Sequence, residues 1–409
     1  MSDLEIKKFN IYKNKWNVES ETAIKPGLES IRKALSVLHN PQDKHKIIHV
    51  AGTNGKGSTI AFMREIAKEH GYTYGSFTSP SLIDVHDQIQ LNGHNVTEAQ
   101  MDRAFEKIYE AGLSGTLTDF ELLTVVAFLV FQEIELDILF IEVGMGGRFD
   151  STNVLKQSIG IIPSISIDHT NFLGETIEKI TWHKAGILRE HGKLLIGALP
   201  EDAKRIIFQE AADKKAEVIE LAYDIIMNED AFIYKDVNFS ELQPSMLGNH
   251  QFSNMALGIT ALLEAGFLLQ EEKVRAAVKN TSLLGRMEKV DDRTYMDGAH
   301  NLASISALVE SVKKNFADKK VHFIVGMLKD KDYTNMLRKL EEVGTSFEFV
   351  RFHHERALSP EVLYNISTNS DKSITEKVEK ISLSNPSENS VTIVTGSLYL
   401  ITELRNINR

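Results

Sequence analysis

The stretch Lys46-Ile47-Ile48-His49-Val50-Ala51-Gly52-Thr53-Asn54-Gly55-Lys56-Gly57-Ser58 decides the fold class. Its first six residues form a short apolar run of the kind that makes a buried strand. Ser58 to His70 then repeats apolar residues at helical spacing, with Ile60, Met63, Ile66 and Ala67 on one face and Gly71 as the stop. Between strand and helix lie three glycines and a lysine. Free backbone N–H groups at a helix start, together with the helix dipole, bind phosphate. Glycine lets the backbone close around oxyanions, Lys56 can neutralise the β and γ phosphates of a nucleotide, and the Ser58 hydroxyl can reach a magnesium ion. A glycine-rich turn without a ligand is the plain alternative, but a lysine lodged there would incur a desolvation cost that an anion removes. The spacing departs from the usual nucleotide signature, whose first glycine, counted back from Lys56, would fall at Val50. A generic kinase or GTPase is thereby disfavoured.

Outward from this loop, short apolar runs alternate with longer amphipathic ones from residue 46 to about 225, the pattern of strands joined by crossover helices. Strands are expected at Lys46–Ala51, Ile138–Val143, Ile159–Ile167 and Leu194–Ile196, with a helix at Asp119–Ile134. Its apolar run from Leu122 to Phe131 is about half a bilayer span and is bounded by Glu121 and Gln132, so it reads as a buried helix. The segment Ala222–Met246 has an irregular pattern, and Asn249–Leu268 reads as a helix with Met255, Ala256, Ile259 and Leu263 on one side. A second alternation runs through Thr294–Met296 (strand), Ala303–Phe316 (helix), Val321–Met327 (strand), Tyr333–Val343 (helix), Phe347–Phe352 (strand) and Val391–Val394 (strand) before a closing helix; Ser382–Ser390 is a polar loop. The expectation is an α/β chain of two domains. Residues 1–283 would form a P-loop-type, mostly parallel sheet flanked by helices, and residues 284–409 a smaller Rossmann-like α/β domain.

Composition bounds the function. A chain of 409 residues, 42% hydrophobic, can build two cores. Its 57 acidic and 46 basic side chains give a net charge of -11, which opposes attraction to nucleic acid or to an anionic membrane surface. With no cysteine there is no disulfide framework, thiolate zinc site or cysteine nucleophile, so a metal must sit on oxygen or imidazole, which favours magnesium. Met1-Ser2-Asp3-Leu4-Glu5-Ile6-Lys7-Lys8 carries charge where a signal peptide needs an apolar core, so a cytoplasmic location is expected.

The segment Gly52-Thr53-Asn54-Gly55-Lys56-Gly57-Ser58 closely resembles the loop of the Mur-ligase superfamily, specifically of folylpolyglutamate synthases and dihydrofolate synthases. Further stretches resemble that family's motifs in its order: Thr78-Ser79-Pro80, Thr118-Asp119-Phe120-Glu121, Glu142-Val143-Gly144-Met145-Gly146-Gly147-Arg148, Asp150-Ser151-Thr152-Asn153, Asp168-His169 and His183-Lys184-Ala185-Gly186. So do His250-Gln251 with Asn254, Gly285-Arg286, Asp297-Gly298-Ala299-His300-Asn301, Asp330-Lys331-Asp332 and Thr395-Gly396-Ser397-Leu398-Tyr399. The resemblance implies an ATP-dependent ligase. A substrate carboxylate, from folate or dihydropteroate, attacks the γ-phosphate of ATP, and the amine of L-glutamate displaces phosphate from the acyl phosphate.

By position, the resemblance implies a pair of Mg2+ ions held by Ser79, Glu142 and His169, with Ser58 as a further donor. Lys184 on its own reads as a surface lysine of a helix spanning Thr176–Leu188; the resemblance implies that it is carbamylated and supports the second metal. His169 on its own reads as a structural histidine, and the adjacent Asp168 suits the orienting partner of a metal-bound imidazole. Arg286 would reach the transferring γ-phosphate, Asp297 the nucleotide, His300 the glutamate or its developing amine, and Asn254 the adenine. With groups on both halves, closure about a hinge at Leu283–Met287 is expected. The family is usually monomeric.

The sequence departs from the family after Pro80. An Asn-Glu-Arg-Ile stretch common there reads His86-Asp87-Gln88-Ile89, so a fixed positive charge is replaced by Gln88 in a loop that helps build the folate and glutamate sites of the family. Leu284 and Leu302 stand where prolines are frequent. These departures leave two other readings open: a related amide ligase with another acid substrate, and a catalytically inactive nucleotide-binding homologue. The absence of an evident extra N-terminal domain argues against a nucleotide-sugar acid.

Overall fold

A computed structural model describes the chain except residues 1–5, 7, 23–24, 26, 382–388 and 408–409. The expectations placed on most of the first eight residues and on most of the polar loop at Ser382–Ser390 lie outside the described residues. The chain divides into two compact units, one made of Met1–Pro244 with Phe252–Thr281, the other of Ser245–Gln251 with Ser282–Arg409.

The first unit is built on eight strands: β1 (Ile47–Val50), β2 (Tyr74–Phe77), β3 (Ile89–Leu91), β4 (His94–Asn95), β5 (Ile138–Glu142), β6 (Ile159–Ile162), β7 (Lys193–Ile196) and β8 (Glu217–Glu220), in the order 4-3-2-5-1-6-7-8. All neighbours from β2 to β8 in that order pair in parallel, and β3 and β4 add an antiparallel edge. The central strands are buried along their whole length, which is why they read as continuous apolar runs rather than as alternating ones. Register sets where the chemistry goes. Val50 pairs with Glu142 and with Ile161, and Phe77 with Ile141, so β1, β2, β5 and β6 end at nearly the same level. Ligands of open α/β sheets bind beyond these carboxyl ends.

The strand expected over Ile159–Ile167 stops at Ile162. Pro163 lacks the N–H a ladder needs, and the next residues bond to the glycine-rich loop instead: Thr53 N–H donates to Ser164 O (2.9 Å) and Ser166 N–H to Thr53 Oγ1 (3.0 Å). The segment Ala222–Met246, expected to be irregular, contains an antiparallel meander of β9 (Ile225–Asn228), β10 (Ala231–Tyr234) and β11 (Val237–Phe239). Such short strands, separated by two-residue turns at Glu229-Asp230 and Lys235-Asp236, leave too few residues for an alternation to register.

Helices α1 (Phe9–Trp16), α2 (Glu29–Val37), α3 (Lys56–His70), α4 (Glu98–Glu110) and α5 (Asp119–Gln132) follow in chain order. Residues Glu121 to Phe131 of α5 are all buried, as its unbroken apolar run requires. A capping box starts this helix: the Glu121 carboxylate accepts from Thr118 N–H (2.8 Å) and Oγ1 (2.9 Å). Around α5, one core gathers Phe9 and Tyr12 of α1, Ile31 and Leu35 of α2, and Met101 and Phe105 of α4.

The second unit holds a six-stranded sheet, β12 (Glu288–Lys289), β13 (Thr294–Asp297), β14 (Lys320–Val325), β15 (Ser346–Val350), β16 (Lys372–Thr375) and β17 (Ser390–Thr395), ordered 12-13-17-14-15-16 and parallel except at β12. Phe323, Phe347 and Phe349 fill its core, and Ile305, Leu308 and Val312 of the helix Leu302–Asn315 cover it. Leu302 is the first residue of that helix, a position that tolerates proline and leucine alike, so the departure there leaves the helix start intact.

Candidate functional site

The loop between β1 and α3 is held by backbone contacts, and two of its glycines are required by conformation. Gly52 and Gly55 have φ of 146° and 88°, and a Cβ on Gly55 would lie 2.5 Å from Asn254 Oδ1. Asn254 therefore flanks the loop. Lys56 opens α3, and Ser58 in its first turn is buried. Asn54 N–H donates to Ser164 Oγ (2.9 Å), whose hydroxyl donates back to Asn54 O (2.9 Å), and the Thr53 hydroxyl reaches Ser166 O (3.1 Å). Ser164, which the sequence does not single out, holds the loop; the signal is Pro163, which ends the strand and frees the next residues for that contact.

Lys56 Nζ donates to Gly52 O at 3.2 Å and stands 3.9 Å from Glu142 Oε1. Lys184 Nζ donates to the same carbonyl at 2.9 Å. Two lysine amines thus converge on one backbone oxygen. The next helices in chain order are α6 (Thr170–Leu173) and α7 (Ile177–Ala185), and Lys184 lies in the last turn of α7. Far from being a surface lysine, Lys184 is 4% exposed. Burial, with the Lys56 charge next in weight, pushes its amine down to about 7, against the pull of Asp168 and Asp150. Close packing explains the position: a Cβ on Gly147 would lie 2.8 Å from His183 O and 3.0 Å from Lys184 O, so only glycine lets this helix end approach the loop after β5.

Glu142 is the last residue of β5 and is buried; its Oε2 accepts from Ser79 N–H at 3.4 Å. Glu142, Ser79 and Lys56 are therefore neighbours at the ends of three adjacent strands. His169 stands apart in character: its side chain is 46% exposed, its backbone is left-handed (φ 51°), and Nε2 lies 4.0 Å from Asp168 Oδ2. Among the described residues no three His, Cys, Asp or Glu side chains form a metal-binding group. The Glu142 carboxylate at the strand end, with Ser79 bonded to it through its backbone N–H, suits a hard cation that keeps waters and phosphate oxygens in its shell.

Behind the glycine loop Gly144–Gly147 lies a buried polar chain that the sequence reading quoted as motif but gave no role. Asp150, whose carboxyl burial pushes up, accepts from Met145 N–H (2.8 Å) and Thr152 Oγ1 (2.5 Å), and Thr152 Oγ1 meets His49 Nε2 at 2.8 Å. Burial also holds His49 well below the ordinary histidine value, so this strand residue is neutral. Phe120, just inside α5, stacks on Phe77 (5.9 Å between centroids) and abuts Gly144. Gln88 is buried, and its amide reaches Thr78 O only at 3.4 Å.

In the second unit, the carboxyl end of β13 carries the other named residues. Asp297 accepts from Met287 N–H (2.8 Å) and Ala299 N–H (2.9 Å), which fixes the turn that follows. His300 Nδ1 meets Gly298 O at 2.8 Å, and Arg286 Nη1 donates to Gly285 O at 3.2 Å. A Cβ on Gly298 would lie 2.8 Å from Arg286 Nη1, so Arg286 packs over this turn. His250, quoted in a motif without a role, joins the group: burial lowers its imidazole, Asp297 opposes and Arg286 reinforces that shift.

Comparisons with known proteins agree with this architecture. Residues 50–262 match the model of the Mur ligase middle domain, and residues 284–407 that of the dihydrofolate synthetase C-terminal domain. The dihydrofolate synthase/folylpolyglutamate synthase of Bacillus subtilis (strain 168) is 36% identical over 409 residues, covering 93% of this chain and 95% of that protein. Escherichia coli FolC in complex with DHPP and ADP superposes with a TM-score of 0.89 at 25% identity, covering 100% of this chain and 99% of that one. The Yersinia pestis bifunctional folylpolyglutamate synthase/dihydrofolate synthase complexed with AMPPNP and Mn ion gives 0.88 at 25% identity, with 99% of each chain covered. Among the described residues no helix is long and apolar enough to cross a membrane. With the phosphate loop, the paired lysines and the strand-end carboxylate in place, the chain belongs to the dihydrofolate synthase/folylpolyglutamate synthase family, ATP-dependent ligases of the Mur type.

Proposed function

We propose that this chain joins L-glutamate to a reduced folate, and to dihydropteroate as well, through an acyl phosphate. The observation that carries the reading is the meeting of Lys56 and Lys184 on Gly52 O beside Glu142. Two amines at one carbonyl, in a glycine-rich loop at a helix start, make a site that calls for polyanion charge. The acceptor carboxylate oxygen attacks the γ-phosphorus of ATP, the bond from phosphorus to the β-bridging oxygen breaks, and ADP departs. The glutamate amine then attacks the acyl carbon, loses a proton, and phosphate leaves with the former acyl oxygen.

Lys56 neutralises the phosphate oxygens in the first step, and Gly55 and Gly57 offer backbone N–H groups to them. Asn254, whose side chain lies against Gly55, is proposed for the adenine of the nucleotide. Ser58, Ser79, Glu142 and His169 are the residues that would hold Mg2+, which when bound supplies charge neutralisation at the phosphates. A lysine near 7 is substantially unprotonated at neutral pH, so Lys184 can add CO2 and release one proton, becoming an anionic carbamate. That change replaces a repulsion toward Lys56 by an attraction. In the second unit, Arg286 is proposed for the transferring phosphate, Asp297 for the nucleotide and His300 for the glutamate amine. The enzyme is proposed to act as a cytoplasmic monomer, with residues 1–283 as the ATP-binding domain and residues 284–409 as the glutamate ligase domain.

The test is ADP release with ATP, Mg2+ and glutamate against a panel of dihydropteroate, tetrahydrofolate and methylene-tetrahydrofolate. Stimulation by a folate or by dihydropteroate, with a ligated product of matching mass, is expected. No stimulation by any of them, in protein that still binds ADP, would overturn the substrate assignment.

A further inference from the structure

Helix α1 makes an arrangement that the ligase reading does not use. Three of its contacts, with the residue just before it, go to two segments that each begin or end in the candidate site. One segment is the loop from Ser79 to Gln88. It is closed at its neck by Thr78 N–H donating to Gln88 O (2.9 Å), and Ser79 at its start donates to Glu142. Inside it, Asp87, whose carboxyl burial pushes up to about 6, accepts from Leu82 N–H (3.0 Å) and Ile83 N–H (2.6 Å). The other segment is the start of α5, where Phe120 rests between Phe77 and Gly144.

On the loop side, Tyr12 Oη meets His86 Nε2 at 2.6 Å, His86 Nδ1 meets Asp84 Oδ1 at 2.7 Å, and Asp84 Oδ2 meets Lys8 Nζ at 2.8 Å. A carboxylate only accepts, so Nδ1 carries a proton toward Asp84, and Nε2 makes the ring's second bond with the Tyr12 hydroxyl. Burial pushes that phenol up to about 12, which keeps it protonated throughout the working range. Burial opposes the ionisation of Asp84, but Lys8 and His86 hold its carboxyl down at about 2. On the helix side, Lys13 Nζ donates to Asp119 Oδ1 at 2.8 Å, with both side chains mostly buried, and Ser20 Oγ donates to the same oxygen. The strap is itself anchored: Tyr12 stacks on Phe105 (5.7 Å), and Trp16 Nε1 donates to Asp102 (2.8 Å).

We propose that Tyr12 and Lys13 are positioning residues, and that α1 fixes the Ser79–Gln88 loop and the start of α5 against one support so that the acid substrate meets a preformed wall. Tyr12 acts through His86, and Lys13 acts through Asp119. Both point along adjacent positions of one helix to different targets, so a single rigid element sets the spacing between the two segments. This assignment rests on the ligase reading, because it takes the Ser79–Gln88 loop to border the acceptor acid. His86 also stands in the stretch where the sequence leaves its family's pattern, and the strap supplies, by hydrogen bonding, an order that the replaced arginine does not.

The test is Tyr12→Phe, which removes one hydroxyl and keeps the ring on Phe105, together with Lys13→Met and the double variant. The expected result is a KM for the folate acceptor raised about 3- to 10-fold in each single variant, more in the double, with KM for ATP within about 2-fold of the parent. Amide exchange should quicken at Leu82, Ile83 and His86 in Tyr12→Phe and not in Lys13→Met. An unchanged acceptor KM, or equal rises in the KM values for ATP and acceptor, would overturn the proposal. Failure of the ligase reading shows itself separately, as a parent enzyme without folate-stimulated ADP release, and unchanged exchange at the loop in Tyr12→Phe would then overturn the strap on its own.

Discussion

Lys184 shows what a single residue position can hide. Written as His183-Lys184-Ala185 at the end of a helix it reads as a solvated cation, and only the packing of α7 against Gly147 buries it. Its lowered value has a signed consequence. Below about pH 7 the amine is charged in folded and unfolded chains alike, and the folded state carries the full cost of burying it. Between about 7 and the ordinary lysine value only the unfolded chain binds the proton, so stability rises with pH across that window. In CO2-free buffer, Lys184→Met should therefore stabilise most at pH 6, on the order of 3 kcal/mol, with the gain shrinking toward pH 10. Urea denaturation at both pH values checks the slope. With CO2 present, 13C-bicarbonate should give a carbamate resonance that Lys184→Met abolishes. The place of Lys56, by contrast, at the start of a helix behind a glycine-rich loop, was legible because it follows from local chain geometry. So was the need for Gly55: at φ 88°, with Asn254 Oδ1 2.5 Å from a would-be Cβ, Gly55→Ala should cost roughly 1–2 kcal/mol of strain and weaken ADP binding more than 10-fold by calorimetry.

At the scale of elements, the segments that announced themselves were those whose own sequence carries the cause of their structure. Helix α5 has its start signal in Thr118 and Glu121 and its burial in the run that follows. Thr118→Ala removes the hydroxyl that accepts from Glu121 N–H and leaves the Thr118 N–H bond to the Glu121 carboxylate in place, and should lower stability by about 1 kcal/mol, read as a reduced urea midpoint with an unchanged slope. The elements that stayed hidden were stabilised from elsewhere. Helix α1 is polar and short, and it is held by Phe105, Asp102, Asp119 and His86, none of which lies near it in sequence. The meander from β9 to β11 is similarly too brief to declare itself. The end of β6 at Ile162 was in principle readable from Pro163, and the longer apolar run to Ile167 masked it.

For the molecule as a whole, ligand linkage gives a measurable statement. Nucleotide that binds only the folded state at about 100 times its Kd adds roughly 2.7 kcal/mol to stability, so ADP with Mg2+ should raise the melting temperature of this chain, and Lys56→Met should abolish most of that rise. The mostly parallel α/β class, the glycine-rich strand-to-helix loop and the presence of a second α/β unit were determined by the sequence itself, because each rests on patterns among residues close along the chain: hydrophobic period, helix start signals and glycine at positive φ. The order of the strands was not, since β1 lies between β5 and β6 through pairings of residues about 90 and more positions apart. Which polar side chains meet was decided only by the tertiary structure. The approach of Lys184 to Gly52 O, of Glu142 to Ser79 and of Tyr12 to His86 joins residues 132, 63 and 74 positions apart. Packing of α7 against Gly147 brings the first pair within reach and register between β2 and β5 the second, and no local pattern encodes either. Desolvation then changes the chemistry of what has been brought together, which is why a lysine unremarkable in the sequence becomes the amine on which the proposed carbamate chemistry rests.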